Sequence, residues 1–178
     1  MKQILLYTSI LFMSISTVAC STCDKNKGPR AKAKLEAKSG SKVSGKVKFK
    51  QKDGYVKVYA KVKGLKPGAK HGFHIHEKGD CSAADGSSAG GHFMLGKQKH
   101  GAPHDMSSHV GDMGNLEANK KGEAKLKLKL KKASLDPNNE AYIVGRAVIV
   151  HKGTDDLKTQ PTGAAGARIA CGLIKLKD

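Results

Sequence analysis

The sequence predicts an all-β domain, an eight-stranded Greek-key β-barrel or flattened sandwich with two long functional loops. Three observations lead there. Several stretches alternate apolar and polar residues with the two-residue period of a half-buried strand. Glycine is frequent, at 21 of 178 residues, aromatic residues make up only 4%, and tryptophan is absent. That composition suits a loop-rich β protein whose core is built from valine, isoleucine, leucine and alanine. No stretch has the period of a convincing amphipathic helix, and turn signals recur between the alternating runs.

Residues 1–19 read as an export signal. Lys2 supplies a positive start, Ile4–Val18 is mostly apolar, and small residues follow at Val18-Ala19-Cys20. The segment is too short and too polar for a confident membrane span. Thr17–Cys20 also resembles a bacterial lipobox, which would leave Cys20 lipidated and N-terminal; ordinary cleavage after Ala19 is the alternative. The expected location is the periplasm or cell envelope, with a lipid anchor if Cys20 is modified. Residues 20–34 are polar and basic, include Gly28-Pro29, and read as a flexible tether to a domain spanning 35–178.

The strands then follow in order. Val43, Val47 and Phe49 alternate with Lys46, Lys48 and Lys50. Val56, Val58, Ala60 and Val62 alternate with Lys57, Tyr59, Lys61 and Lys63, and Leu126, Leu128 and Leu130 with Lys125, Lys127, Lys129 and Lys131. These are antiparallel strands with one face in the core and a lysine outer face. Turns are marked by Asp53-Gly54, Pro67-Gly68, Lys121-Gly122 and Pro137-Asn138. Tyr142–Val150 is a longer apolar run with Gly145-Arg146 near its middle, and Arg168–Leu176 reads as the last strand. Lys78–Gly111 and Lys152–Ala167 are too long for hairpin turns, and ordered loops of that length on a β scaffold usually carry function.

The formal charge of +18 comes almost entirely from lysine. It favours anionic partners: a nucleic acid, an anionic envelope surface or a small anion. Stacking aromatics are few and no nucleic-acid-binding motif is present, so no nucleic-acid partner is expected. Lysines on strand faces also discourage edge-to-edge association.

The chemistry centres on His74-Ile75-His76. On a strand, residues two apart share a face, so the two imidazoles stand side by side while Phe73 and Ile75 turn to the core. Two neutral imidazoles on one rigid face make half of a four-coordinate metal site. The other histidines are not scattered among the eight in the chain. His71 lies on the same strand. His92, His100, His104 and His109 lie in the first long loop, followed by Asp112, and His151 ends the Tyr142–Val150 run. Clustering of this kind points to metal. Of the four cysteines, Cys20 and Cys23 lie at the processing site. Cys81 and Cys171 remain for the domain; in an exported chain they most simply form one disulfide, the alternative being two buried thiols.

Several stretches together resemble a known family: His71–Cys81 (HGFHIHEKGDC), Gly90–Phe93 (GGHF), Lys99–Gly101 (KHG), His109–Asn115 (HVGDMGN), Val148–His151 (VIVH), Asp155-Asp156 and Gly166–Gly172 (GARIACG). The chain is similar to copper/zinc superoxide dismutases of the bacterial exported type over about residues 35–176. The resemblance implies copper held by His74, His76, His92 and His151, and zinc held by His92, His100, His109 and Asp112. His92 would bridge the metals, one ring nitrogen to each, and carry a proton while superoxide is converted to dioxygen and hydrogen peroxide. It also implies Asp155 linking His74 to His100, a Cys81–Cys171 disulfide, Arg168 as the cation that guides the anion, Thr162 facing the channel, and a homodimer. His71 is expected to make a structural hydrogen bond, and His104 is either a surface residue or an alternative ligand. The chain departs from the family pattern in Met94-Leu95 after His92-Phe93, in Lys152 after His151, and in a short second loop whose candidate steering charges are Lys152 and Lys158. Two rival readings are a copper-buffering module on the same fold and a lysine-rich envelope-binding protein whose metals only stabilise it.

Overall fold

The computed structural model describes residues 28–177. The export signal, Cys20, Cys23 and the first part of the tether lie outside the described residues. Nine strands follow: β1 (Arg30–Ala37), β2 (Ser44–Lys52), β3 (Tyr55–Lys63), β4 (Lys70–His76), β5 (Asp112–Glu117), β6 (Ala124–Leu130), β7 (Ala147–His151), β8 (Arg168–Leu173) and β9 (Lys175–Leu176). One short 3-10 helix, Ser87–Ala89, is the only helix among the described residues. The first eight strands are hydrogen-bonded in the order β5-β4-β7-β8-β1-β2-β3-β6, with β9 pairing β1. All pairings are antiparallel. β5 and β6 approach one another, so the sheet is nearly closed into the expected eight-stranded barrel.

Alternation builds the barrel wall. Val47, Phe49, Val56, Val58 and Ala60 are fully buried, while the lysines between them face out. The register sets the lysines in rows across the strands: Arg30 is opposite Lys50, Lys50 opposite Lys57, and Lys57 opposite Lys129.

The structure departs from the sequence expectation in three places. Arg30–Lys34, expected in the tether, belongs to β1, where Ala31, Ala33 and Leu35 are buried and pair with β2 from Arg30 opposite Lys50 to Leu35 opposite Gly45. Small alanines between lysines give a weak apolar signal but still supply one buried face. The expected last strand Arg168–Leu176 is broken at Ile174. Its N–H donates to the Arg146 carbonyl at 2.9 Å and its carbonyl accepts from the Gly145 N–H at 2.9 Å, so its backbone is drawn to a turn and away from β1. Within Tyr142–Val150 only Ala147 onward is strand; Gly145 adopts φ 83°, and the residues before it turn.

β4 and β7 are buried on both faces. Phe73 and Ile75 enter the core, and His74 and His76 lie on the other face of β4, beneath the long loops. Cys81 and Cys171 form a disulfide with Sγ–Sγ 1.99 Å and Cα–Cα 5.8 Å across a sequence separation of 90 residues. It ties the first long loop to β8. Closing so long a loop stabilises by roughly 4–5 kcal/mol in the chain-entropy view.

Candidate metal centre

The outer face of β4 supplies His74 and His76, and β7 ends in His151. His74 is in register with Ile149 of β7 and with Asp112 of β5. Irregular register near Gly72–His74 and at Val150–His151 re-aims the side chains at this edge, as bulges beside functional sites do. The first long loop folds back so that His92 makes a backbone bridge with His76, and the Phe93 N–H donates to the Ile75 carbonyl while its own carbonyl accepts from the Gly111 N–H. His100 and His109 come from the same loop. All six histidines and Asp112 are at most 5% exposed.

His92 is central. Its ring centroid lies 4.0 Å from that of His74, 5.0 Å from His76 and 6.0 Å from His151 on one side. On the other it lies 5.3 Å from His100 and 5.6 Å from His109. His92 Nδ1 is 3.0 Å from Asp112 Oδ1, and His92 Nε2 is buried with no hydrogen-bond partner.

The hydrogen bonds fix which ring nitrogen carries a lone pair. His76 Nδ1–H donates to the Gly90 carbonyl and His151 Nδ1–H to the Gly166 carbonyl, each at 2.9 Å. Their Nε2 atoms are therefore both acceptors, yet they lie 3.3 Å apart. His74 Nε2–H donates to Asp155 Oδ2 at 2.8 Å, leaving its buried Nδ1 without a partner. Four imidazole lone pairs thus converge with no proton to share. A soft or borderline cation satisfies them all at once, which is the arrangement copper requires.

On the far side of His92, three Nδ1 atoms surround one carboxylate oxygen. Asp112 Oδ1 is 3.0 Å from His92, 3.0 Å from His100 and 3.5 Å from His109. Three nitrogens and one oxygen suit a closed tetrahedral zinc site. Ligand atoms of His74, His76, His92 and His151 lie within 4.8 Å of one another, as do those of His74, His92, His100 and Asp112. In the second group His74 stands where the resemblance implies His109, whose buried Nδ1 lies 3.5 Å from Asp112 Oδ1 with no hydrogen-bond partner.

Protonation agrees with this division. Burial lowers His74 to about 3 and His151 to about 4, and holds His76 well below its ordinary value. The Arg168 charge adds to the lowering at His76 and His151. These rings are neutral donors at neutral pH. His100 differs: burial opposes its charge, but hydrogen bonds to Asp112 and Asp155 outweigh that and raise it to about 9. Burial would raise Asp112 and Asp155, yet their imidazole partners hold both carboxyls below the usual range.

Asp155 accepts from His74 Nε2 and from His100 Nε2, both at 2.8 Å. Sequence reasoning missed what holds Asp155 there. The Asn115 side chain clamps its backbone, accepting from the Asp155 N–H and donating to its carbonyl, each at 2.9 Å. Gln160 clamps His100 likewise, at 2.8 and 3.0 Å. Gly163 has φ 68°, and a Cβ there would lie 1.9 Å from Asp155 Oδ1 and 2.6 Å from His100 Nε2. Lys132, which continues the lysine stripe in sequence, is instead buried and donates to Asp105 O and Ser108 Oγ, stitching the turn before His109. A glycine beside Thr162, and Asn115 at the end of the stretch His109–Asn115, were the signals available; Gln160 and Lys132 carried none.

The remaining residues fall as follows. Arg168 Nη1 donates to the Gly86 and Ser87 carbonyls at 2.7 and 3.3 Å, and Nη2 to Gly90 at 2.6 Å. The guanidinium is thus fixed beside the loop that carries His92. Thr162 is half-buried; Lys152, Lys158 and His104 are exposed. His71 Nδ1–H donates to the His151 carbonyl at 2.9 Å, a structural bond that fixes the end of β7.

Comparison with known proteins agrees with the geometry. The sequence profile described as "Copper/zinc superoxide dismutase (SODC)" matches residues 43–174. An "Extracellular superoxide dismutase [Cu-Zn]" of Caenorhabditis elegans is 39% identical over 171 residues, 93% of this chain and 75% of the relative. One of the same description from Haemonchus contortus is 39% identical, covering 98% of this chain and 97% of the relative. A "Superoxide dismutase [Cu-Zn]" of Yarrowia lipolytica is 44% identical over 82% of this chain and 97% of the relative. With the barrel, the disulfide and two buried groups of potential metal donors already in place, the chain belongs to the copper/zinc superoxide dismutase family.

Proposed function

We propose that this family member dismutates superoxide at a copper held by His74, His76, His92 and His151, joined through His92 to a zinc held by His92, His100, His109 and Asp112. The observation that carries the assignment is His92, whose Nδ1 lies beside the Asp112 oxygen while its buried Nε2 has no hydrogen-bond partner and its ring lies 4.0, 5.0 and 6.0 Å from those of His74, His76 and His151. When bound, copper supplies the one-electron chemistry that turns two superoxide anions and two protons into one dioxygen and one hydrogen peroxide, while zinc supplies fixed charge.

The chain's own groups do the rest. His92 Nε2 is the ring atom that takes up and releases a proton, because His92 Nδ1 is committed to the Asp112 side. Arg168 offers a permanent cation at the rim, held by three carbonyls, and attracts a small anion. Asp155 fixes the tautomers of His74 and His100 and couples the two sets. Thr162, half-buried in the second long loop, is the residue that the resemblance sets facing the channel.

Export accords with the disulfide and with relatives named extracellular. The finer reading is a bacterial-type protein of the periplasm or envelope, with residues 1–19 removed, a lipid anchor if Cys20 is modified, and its lysines meeting an anionic surface. A homodimer, as the resemblance implies, completes it. His92→Ala tests the assignment: both metals should bind more weakly, since each loses one of four donors. Retention of both at wild-type levels would refute a shared imidazole.

A further inference from the structure

We propose that the outer face of β1, β2, β3 and β6 docks the protein on an anionic phospholipid bilayer, with the metal centre on the opposite side left open to solvent. The proposal rests on the reading that the lysines meet an anionic surface, and says which face does so and on what. Lys34 is directly opposite Lys46, Lys46 opposite Lys61, and Lys61 opposite Lys125. This row of like charges runs straight across four strands; the row Lys32, Lys48, Tyr59 and Lys127 lies beside it, and the row that begins at Arg30 beyond that. Like charges directly opposite on adjacent strands destabilise a sheet, where alternating signs would stabilise it. Within this row and among the described residues, only Lys34 has a carboxylate within 4.0 Å, the exposed Glu36. Crowding is felt locally: after burial, the charges of Lys52, Arg30 and Lys57 lower Lys50. A sheet that retains this repulsion has charge to offer a partner.

The shape of the array says what partner. Strands lie about 4.8 Å apart and alternate residues about 6.7 Å apart, so the cations cover an area rather than a line. A linear polyanion engages one or two rows; a bilayer presents charge over a plane. A second copy of this face would oppose lysine to lysine and is repelled. Among the described residues the large exposed apolar side chains are Met94, Met106 and Leu176; none lies on these four strands, Leu176 being on β9 at the edge beside β1, so adsorption is electrostatic, without insertion. In the ring, β2 and β3 each stand three or four positions from β4 and β7, the strands that carry His74, His76 and His151. Docking through the lysine face therefore leaves the histidine face uncovered.

The test uses the purified, metal-loaded protein and cosedimentation with phosphatidylcholine vesicles, with and without phosphatidylglycerol. Wild type should bind only the phosphatidylglycerol vesicles and should be released by salt. Lys46→Glu with Lys61→Glu should weaken binding by about tenfold or more, while Lys46→Arg with Lys61→Arg should bind as wild type. Metal content and dismutation in solution should match in all three. If wild type fails to bind anionic vesicles, the reading of an anionic surface fails with the proposal. If the double Glu variant binds as well as wild type, that reading stands and this face is wrong. Preference for soluble heparin or RNA over vesicles would replace the bilayer with a linear polyanion and overturn the proposal.

Discussion

Asp155→Asn should separate the two metals. The carboxylate is 2% exposed and accepts from His74 and His100, one oxygen to each ring, both at 2.8 Å. Asparagine has one acceptor oxygen in place of two, so it satisfies one histidine and turns an NH₂ donor toward the other. A charge-assisted hydrogen bond contributes about 1.5–3 kcal/mol, and losing such an outer partner typically costs 10–100-fold in metal affinity. His100 should suffer more than His74. In the metal-free protein its proton is stabilised by both carboxylates, and in the loaded protein Asp155 alone sets its Nε2–H and so its Nδ1 lone pair. Zinc affinity should therefore fall about 10–100-fold and copper affinity less. Competition against a chelator of known affinity, one metal at a time, reads both. An Asp155→Asn protein that holds zinc with wild-type affinity would refute the linkage through this carboxylate.

Gly163→Ala should reproduce part of that zinc loss without changing any ligand, because the added Cβ would collide with Asp155 Oδ1 and the backbone holds φ 68°; unchanged zinc retention would show that the second loop yields freely. Arg168→Glu should lower the rate of superoxide capture by about tenfold or more with copper and zinc content unchanged, and Arg168→Lys should lie between, since one ammonium cannot reproduce a guanidinium bonded to three carbonyls. The rate of wild type should also fall as salt rises. The metal-free protein should be most stable near pH 6.5. Below its ordinary value of 6.5, burial keeps His74 and His151 neutral down to about 3 and about 4, so the unfolded chain binds more protons and stability falls with falling pH. Above 6.5, His100 keeps a proton up to about 9 that the unfolded chain has lost, and its contribution fades as pH rises through that value. Thermal midpoints of the metal-free protein across this range check the shape; a flat profile would contradict it.

Much of this was legible because period two and residue chemistry are local signals. His74-Ile75-His76 specified a strand and a shared face together, and the alternation of Val56–Val62 specified both β3 and its lysine surface. β1 was partly lost because alanines between lysines look like a basic linker, although alanine is large enough to fill the barrel wall beside Val47 and Phe49. The break at Ile174 was illegible because it depends on backbone bonds to a turn 28 or more residues earlier in the chain. The ligand set came from resemblance, since spacing shows clustering but not which ring nitrogen faces which neighbour. Gln160 and Lys132 act through contacts between segments distant in sequence, and nothing in their local pattern marks them; Asn115 stood in a stretch that carried the resemblance, but its partner Asp155 lies 40 residues away.

A copper titration of the zinc-loaded protein, followed by superoxide dismutation, tests the proposed chemistry most directly. Activity should rise with added copper and level off at one copper per chain, and the same titration of His92→Ala should give little activity at any copper level. Wild-type protein that takes up one copper and one zinc per chain and yet leaves superoxide untouched would contradict the assignment, and would favour a metal-buffering role on the same barrel.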